Sequence, residues 1–63
     1  MNMSKKLKYQ RKKNNLSQGD VAKRLHITRQ AISQWETERS RPDLENLQLI
    51  SQIYKVNLTY FLN

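Results

Sequence analysis

The fold of this chain is decided by the stretch Ser17-Gln-Gly-Asp-Val-Ala-Lys-Arg-Leu-His-Ile-Thr-Arg-Gln-Ala-Ile-Ser-Gln-Trp-Glu36. Its first half opens with Ser17 and Asp20 at the Ser-x-x-Asp spacing of a capping box, which marks the beginning of a helix. The apolar residues of this helix fall on one face: Val21, Ala22 and Leu25. The second half has its own capping candidate in Thr28. The pattern therefore predicts two short helices joined by a tight turn, over about residues 17–36.

The second of these helices has two contrasting faces at about 100° per residue. Its apolar face consists of Ala31, Ile32 and Trp35. Its opposite face, called the polar stripe below, consists of Arg29, Gln30, Ser33, Gln34 and Thr37. Solvated helix faces mostly carry Glu and Lys, whereas Arg can bind guanine bidentately, Gln can bind adenine, and a short Ser lets the helix approach closely. The polar stripe is therefore typical of a helix that enters a DNA major groove.

Residues on both sides of this motif complete a larger pattern. The segments Leu16-Ser-Gln18, Val21-Ala-x-x-Leu-x-Ile-Thr-Arg-Gln-Ala-Ile-Ser-Gln-Trp-Glu36 and Pro42-Asp-Leu-Glu-Asn-Leu47 together resemble the Cro/C1-type (XRE-like) helix-turn-helix family of phage and bacterial repressors. The resemblance covers almost the whole chain. It implies an all-α, five-helix fold like that of lambda repressor, one domain over residues 1–63, and sequence-specific binding to double-stranded DNA.

Candidate DNA contacts follow from the two helices and from the resemblance. We expect Arg29, Gln30 and Gln34 to contact base edges, with Ser33 in support. Phosphate contacts are expected at helix N-termini, where free N–H groups attract anions, and in the loop after the second helix. These candidates are Ser17, Gln18, Thr28, Thr37, Arg39, Ser40 and Arg41. For the loop arginines the alternative is plain solvation, and for Gln18 it is an ordinary surface position, although the matching family residue touches a phosphate.

One ionic contact is also implied. In the family, the residue that matches Glu36 pairs with an arginine of the first helix, which here is Arg11. A lone buried carboxylate would be costly, so a cationic partner is expected on physical grounds as well.

Three positions depart from the family pattern. Gln10 stands where a leucine is frequent, which leaves room for a neighbour such as Tyr9 to move into the gap. His26 stands where glycine is usual, and it requires a positive φ there. Thr37-Glu38 replaces a frequent Asn-Gly and predicts a slightly longer second helix or a different turn.

Three more helices are expected outside the motif. The first has Ser4 as its capping candidate and breaks at Asn14-Asn15, because Asn competes for local backbone hydrogen bonds. Asp43 and Asn57 are the expected caps of the fourth and fifth helices. The fourth helix should place in the core Leu44, Leu47, Ile50 and Tyr54, and the fifth region should close it with Val56, Leu58 and Phe61.

A homodimer is expected, because one small domain covers only a half-site and two copies about 34–36 Å apart can contact one face of a duplex. Leu49 and Ile53 lie off the core side of the fourth helix, and Tyr60 and Leu62 lie in the last turn. We name these four residues the apolar patch and expect them at the dimer interface. The alternative is that they complete the small core.

Composition limits the other functions. Twelve Lys and Arg against five Asp and Glu give a net charge of +7, which favours a polyanionic partner but alone leaves nucleic acid, anionic lipid and solubility open. Cysteine is absent, so disulfides and thiolate metal sites are excluded. No apolar run approaches the roughly 20 residues of a membrane span, and no signal peptide is visible. We expect a cytoplasmic protein with no metal and no cofactor.

The most consistent function is a sequence-specific DNA-binding regulator, a repressor that binds a palindromic operator as a homodimer. The first alternative is a protein-interaction module, such as an antitoxin or adaptor, on the same fold. The second is a cationic membrane or RNA binder, which predicts aromatic residues across a basic face, whereas Trp35 belongs to the apolar side. An enzyme is not expected, since the only histidine, His26, has no second ligand or nucleophile paired with it.

Overall fold

The computed structural model describes residues 1–63 and contains five α-helices and no strand. They are α1 (Met3–Lys13), α2 (Gln18–Leu25), α3 (Arg29–Glu36), α4 (Leu44–Tyr54) and α5 (Leu58–Leu62). The all-α, five-helix expectation is confirmed. None of these helices has the length and apolar character that crossing a membrane requires.

Side chains cap the helices at their first turns, mostly as expected. Ser17 and Asp20 form a reciprocal capping box at the start of α2, and the backbone N–H and hydroxyl of Ser17 lower the pKa of the Asp20 carboxyl. Thr28, Asp43 and Asn57 accept the capping bonds of α3, α4 and α5. These caps are confirmed because each needs only a polar side chain two or three residues before a free N–H.

The start of α1 differs from the expectation. Asn2, not Ser4, is its N-cap, and its side-chain oxygen accepts the backbone N–H of Lys5 at 2.9 Å. Ser4 lies inside the helix and is buried. Both Asn2 and Ser4 have side-chain oxygens that can cap a helix. Because Asn2 accepts the N–H of Lys5, α1 already begins at Met3.

Each of α1 to α4 is followed within two residues by a non-glycine residue in the left-handed conformation: Asn15, His26, Glu38 and Lys55, with φ between 57° and 65°. In every case the next N–H bonds to a carbonyl five residues earlier, at 3.0 or 3.1 Å. The positive φ at His26 is confirmed. The second helix of the motif is not lengthened, because it ends at Glu36 and Glu38 makes a different turn.

The core draws on all five helices. It consists of Leu7, Val21, Ala22, Leu25, Ile32, Trp35, Leu47, Ile50, Tyr54 and Phe61. Val56 and Leu58 pack against it, as expected. Leu44 was expected in the core but is 59% exposed. It is the first residue of α4, and since helical side chains lean toward the N-terminus, it projects past the start of the helix.

The gap at Gln10 is filled by Gln10 itself. The residue is buried, whereas Tyr9 is 51% exposed, so the expected movement of Tyr9 inward is wrong. A glutamine has an apolar stem that can pack, and no buried side-chain nitrogen or oxygen lacks a partner. The amide of Gln10 therefore keeps access to water while its stem covers the core.

Candidate nucleic-acid interface

The two faces of α3 separate as its pattern predicts. Ile32 and Trp35 are buried, Ala31 packs against the core, and the polar stripe faces outward. Within the stripe Arg29, Gln30 and Thr37 are exposed and the other two members are half-buried. A shallow groove runs beside it, lined only by polar residues: Gln30, Ser33, Gln34, Thr37 and Arg39. The structure thus brings two predicted phosphate contacts, Thr37 and Arg39, next to the predicted base contacts.

The turn before α3 sets its position. His26 reverses the chain, the N–H of Ile27 bonds to the carbonyl of Ala22 at 3.0 Å, and the Ile27 side chain packs against the core. Thr28 then caps α3 by accepting the N–H of Ala31 at 3.2 Å. Because both ends of this turn are bonded or packed, the first residue of α3 lies at a defined place beside α2.

A buried ion pair anchors the inner side of α3. Arg11 binds both carboxylate oxygens of Glu36, with Nε to Oε2 at 2.7 Å and Nη2 to Oε1 at 2.9 Å. Its remaining guanidinium nitrogen donates to the Leu16 carbonyl at 2.9 Å. The bond to Glu36 raises the pKa of Arg11, and burial raises the pKa of the nearby Tyr54 hydroxyl. The expected pairing of α1 with α3 is confirmed.

The ion pair extends outward to the polar stripe. The side-chain Nε2 of Gln18 donates a hydrogen bond to Oε1 of Glu36 at 3.2 Å. The side-chain Oε1 of Gln18 accepts a hydrogen bond from Nη1 of Arg29 at 3.3 Å. The carboxylate fixes which end of the amide points inward, and the amide oxygen then holds the guanidinium. Arg29 begins α3 at the positive end of the helix dipole, where a cation is unfavourable, so a nearby acceptor offsets this cost.

Sequence reasoning treated Gln18 and Arg29 as separate contacts and missed this connection. The only signal was that each is the first residue of its helix in the motif. An amide nitrogen carries two hydrogens, so Gln18 can bond to Glu36 and still donate to a phosphate. Its predicted phosphate role and its observed link to Arg29 are compatible.

The other candidate phosphate contacts are all exposed, but their hydroxyls are partly engaged. Ser17 and Thr28 accept capping bonds and keep their hydroxyl hydrogens for another acceptor. Thr37 donates its hydroxyl to the Ser33 carbonyl at 2.9 Å, and Ser40 donates to the side-chain oxygen of Gln34 at 3.4 Å. These last bonds fold the loop back onto the end of α3 and help to orient Gln34.

The two loop arginines point to different sides. Arg39 lines the groove of the polar stripe, whereas Arg41 lines a second depression together with Asn2, Trp35 and Glu38. Neither arginine has an ion-pair or side-chain hydrogen-bond partner within the chain. Both remain candidates for phosphate contact, and Arg39 is the nearer to the base-contacting residues.

The apolar patch divides into two pairs. Leu49 is 41% exposed and Leu62 is 55% exposed. Ile53 and Tyr60 are half-buried and pack against the core. Tyr60 also lies under the ammonium group of Lys6, 5.0 Å from the ring centroid, and its carbonyl accepts from the same group at 2.8 Å. The exposed leucines are thus available for a partner, while the other two residues also stabilise the fold.

The side chains form no cluster that could hold a metal ion. No three His, Cys, Asp or Glu residues come close enough to hold a metal ion. His26 is exposed in the turn between α2 and α3, where its left-handed backbone conformation ends α2.

Comparison with known proteins agrees with this geometry. A family model described as helix-turn-helix matches residues 7–61. The HTH-type transcriptional activator BcrR of Enterococcus faecalis is 35% identical over 63 residues, which is 100% of this chain and 31% of that protein. The HTH-type transcriptional regulator ImmR of Bacillus subtilis (strain 168) is 32% identical over 62 residues, covering 98% of this chain and 49% of that protein. The chain therefore spans less than half the length of either relative.

Proposed function

This chain belongs to the Cro/C1-type (XRE-like) helix-turn-helix family, and from that membership we propose that it is a sequence-specific regulator of transcription that binds double-stranded DNA through α3. The observation that carries the proposal is the polar stripe, an outward face of Arg, Gln, Ser and Thr beside an all-polar groove on an anchored helix. These side chains match the hydrogen-bonding edges of the major groove. The proposal treats residues 1–63 as one DNA-binding domain.

Direct base contacts are assigned to Arg29, Gln30 and Gln34, with Ser33 allowing close approach. Arg29 is held by Gln18, and Gln34 is held by Ser40, so two of these long side chains are already oriented before DNA arrives. A side chain that is oriented in advance loses less conformational entropy on binding. This supports their role in choosing the base sequence.

Phosphate contacts are assigned to the rim of the same surface. Ser17, Gln18 and Thr28 lie at the N-termini of α2 and α3, where unpaired N–H groups attract anions. Thr37, Arg39, Ser40 and Arg41 lie in the loop after α3. Such contacts position the protein on the duplex without selecting bases.

The proposal includes a homodimer on a palindromic operator, with the apolar patch at the interface. The support is the exposure of two large apolar side chains, Leu49 on α4 and Leu62 at the end of α5. Leu49→Glu tests it. We expect cooperative binding to two half-sites to be lost while thermal stability is retained, because the side chain is already partly in water. Unfolding of this variant would place Leu49 in the core instead.

Repression is the regulatory outcome we propose, since it requires only that the bound protein occupies a promoter. One relative is named an activator, so a reporter gene is needed to test the sign of the effect. Placing the binding site over the promoter should lower expression, and a rise in expression would contradict repression. The role also requires the compartment that holds DNA, which agrees with the cytoplasmic location expected from the sequence.

Selection of binding sites from a random duplex library tests the whole proposal. We expect a two-fold symmetric consensus with half-site centres about 10 base pairs apart. Binding that fades at raised salt without any consensus would indicate only counterion release and would contradict sequence-specific recognition. If no duplex were enriched, the protein-interaction alternative would become the better explanation.

A further inference from the structure

The loop after α3 contains one negative charge between its predicted phosphate contacts. Glu38 follows Thr37, precedes Arg39, and is the only acidic residue of residues 37–41. A carboxylate at this place repels DNA phosphates if its side chain is free to turn toward them. The structure shows where this carboxylate is held.

Glu38 is bonded to the opposite end of the chain. Its Oε1 accepts the side-chain amide nitrogen of Asn2 at 2.8 Å, across a separation of 36 residues. The side-chain oxygen of Asn2 meanwhile caps α1 by accepting from Lys5. One asparagine therefore caps a helix with its oxygen and holds a carboxylate with its nitrogen.

The first turn of α1 is an electrostatically favourable place for the Glu38 carboxylate. The N-terminus of a helix carries a partial positive charge, and the first turn of α1 contains no acidic residue of its own. Glu38 brings a negative charge to this end of the helix from across the fold.

Two neighbouring residues of the loop, Glu38 and Arg39, line different depressions. Arg39 lines the groove of the polar stripe, whereas Glu38 lines the separate depression that also contains Asn2 and Trp35. The left-handed conformation of Glu38, with φ at 65°, accompanies this change of direction. Arg39 thus lies beside the polar stripe, whereas Glu38 lies in the separate depression, which it shares with Arg41.

We propose that Asn2 is a positioning residue for DNA binding, because it holds the Glu38 carboxylate at the start of α1 and away from the phosphates that flank Arg39. This inference rests on the proposed DNA-binding function. It assigns a role to the N-terminal residues, which lie outside the helix-turn-helix motif. When the bond is lost, Glu38 rotates freely and weakens binding to every duplex, whatever its sequence.

Two substitutions separate this role from helix capping. Asn2→Ser keeps a side-chain oxygen that can cap α1 but removes the amide donor. Glu38→Gln keeps an accepting oxygen and removes the charge. The wild-type chain, both single variants and the double variant are titrated with the selected operator duplex and with a random duplex of equal length, at low and raised salt.

We expect Asn2→Ser to weaken binding to both duplexes about three- to tenfold at low salt and less at raised salt, as befits one exposed charge near phosphates. In the Glu38→Gln background the same substitution should change neither affinity. Equal losses in both backgrounds would mean that Asn2 acts only as a cap, and no loss in the wild-type background would overturn the proposal directly.

A second measurement distinguishes failure of this inference from failure of the proposed function. The side-chain amide resonances of Asn2 should shift in Glu38→Ala, which removes the accepting carboxylate. If the wild-type chain bound neither duplex, the proposed function would fail and the role in DNA binding would fail with it, whereas the shift would still show whether the bond exists. If DNA binding were intact and these resonances did not move, only the inference would be overturned.

Discussion

Two basic regions of the molecule use different side chains. The outer side of α1 carries exposed lysines: Lys5, Lys8, Lys12 and Lys13. The region of the polar stripe and its loop carries arginines: Arg29, Arg39 and Arg41. Lysine is a strongly hydrated point charge, whereas arginine presents a planar fork that matches phosphates and guanine. The two regions are therefore suited to different parts of DNA binding.

Most of the net charge lies in α1, which contains none of the proposed DNA contacts. Half of the twelve basic residues and none of the five acidic residues are in α1. The inner side of α1 contains Leu7, which lies in the core, and Arg11, which binds Glu36 of α3. The exposed lysines lie on the other sides of this helix. The net charge explains attraction to a polyanion over a distance, while the choice of base pairs depends on a few anchored side chains.

The largest effect should come from Glu36→Ala, which leaves the buried guanidinium of Arg11 unpaired. Removing one member of a buried pair costs about 3–5 kcal/mol, a large part of the stability of a domain this small. Urea denaturation measures the loss. The matched control, Lys8→Ala on α1, should stay within about 0.5 kcal/mol of the wild-type value. Equal stabilities for the two variants would show that the ion pair does not anchor α3.

Loss of a base contact should be the next largest effect. Arg29→Ala or Gln34→Ala is expected to relax specificity at one base pair per half-site, by about 1–3 kcal/mol. Competition among duplexes that differ at single positions measures this change. Lys12→Ala removes a charge from α1 and should leave the base preferences unaltered. A uniform loss across all duplexes in Arg29→Ala would remove its assigned role in base contact.

A smaller effect, independent of sequence, should separate the two basic regions by salt dependence. Arg39→Ala should weaken binding to all duplexes by the same factor. It should also reduce the slope of log affinity against log salt concentration by about one. Lys12→Ala should change that slope less, because this side chain is exposed on α1 and is not part of the loop or the polar stripe. Identical slopes in the two variants would mean that the arginine is a solvated loop charge like the lysine.

The smallest effects should come from relieving backbone strain at two turns. His26→Gly, between α2 and α3, and Lys55→Gly, after α4, are each expected to stabilise the chain by about 0.5–1 kcal/mol, because glycine adopts positive φ without steric cost. Thermal denaturation measures both. If Lys55→Gly raised the thermal stability and His26→Gly did not, the turn between α2 and α3 would depend on the histidine side chain.

Local features of the fold were predictable from the sequence. The caps at Ser17, Thr28, Asp43 and Asn57 were correct because each involves backbone groups two or three residues away. The division of α3 into an apolar face and the polar stripe follows from the helical repeat alone. The assignment of individual base and phosphate contacts remains a prediction.

Features at element ends and edges were less predictable. The exposure of Leu44, the burial of Gln10 in place of Tyr9, and the choice of Asn2 over Ser4 as a cap all departed from the expectation. For the last two, two neighbouring residues were suitable by type, and Leu44 is the first residue of α4. Which residue is buried or caps a helix depended in each case on where the rest of the chain lies.

The sequence by itself determined the helices, four of their five N-caps and the chemical character of the outer face of α3, because these depend on residues within one or two helical turns. Only the tertiary structure decided that Gln18 links Glu36 to Arg29, and that Asn2 holds Glu38. The partners in these bonds are 11, 18 and 36 residues apart. Such pairs meet only when helix packing has set the distances and angles between elements, and no local pattern of residues encodes those angles.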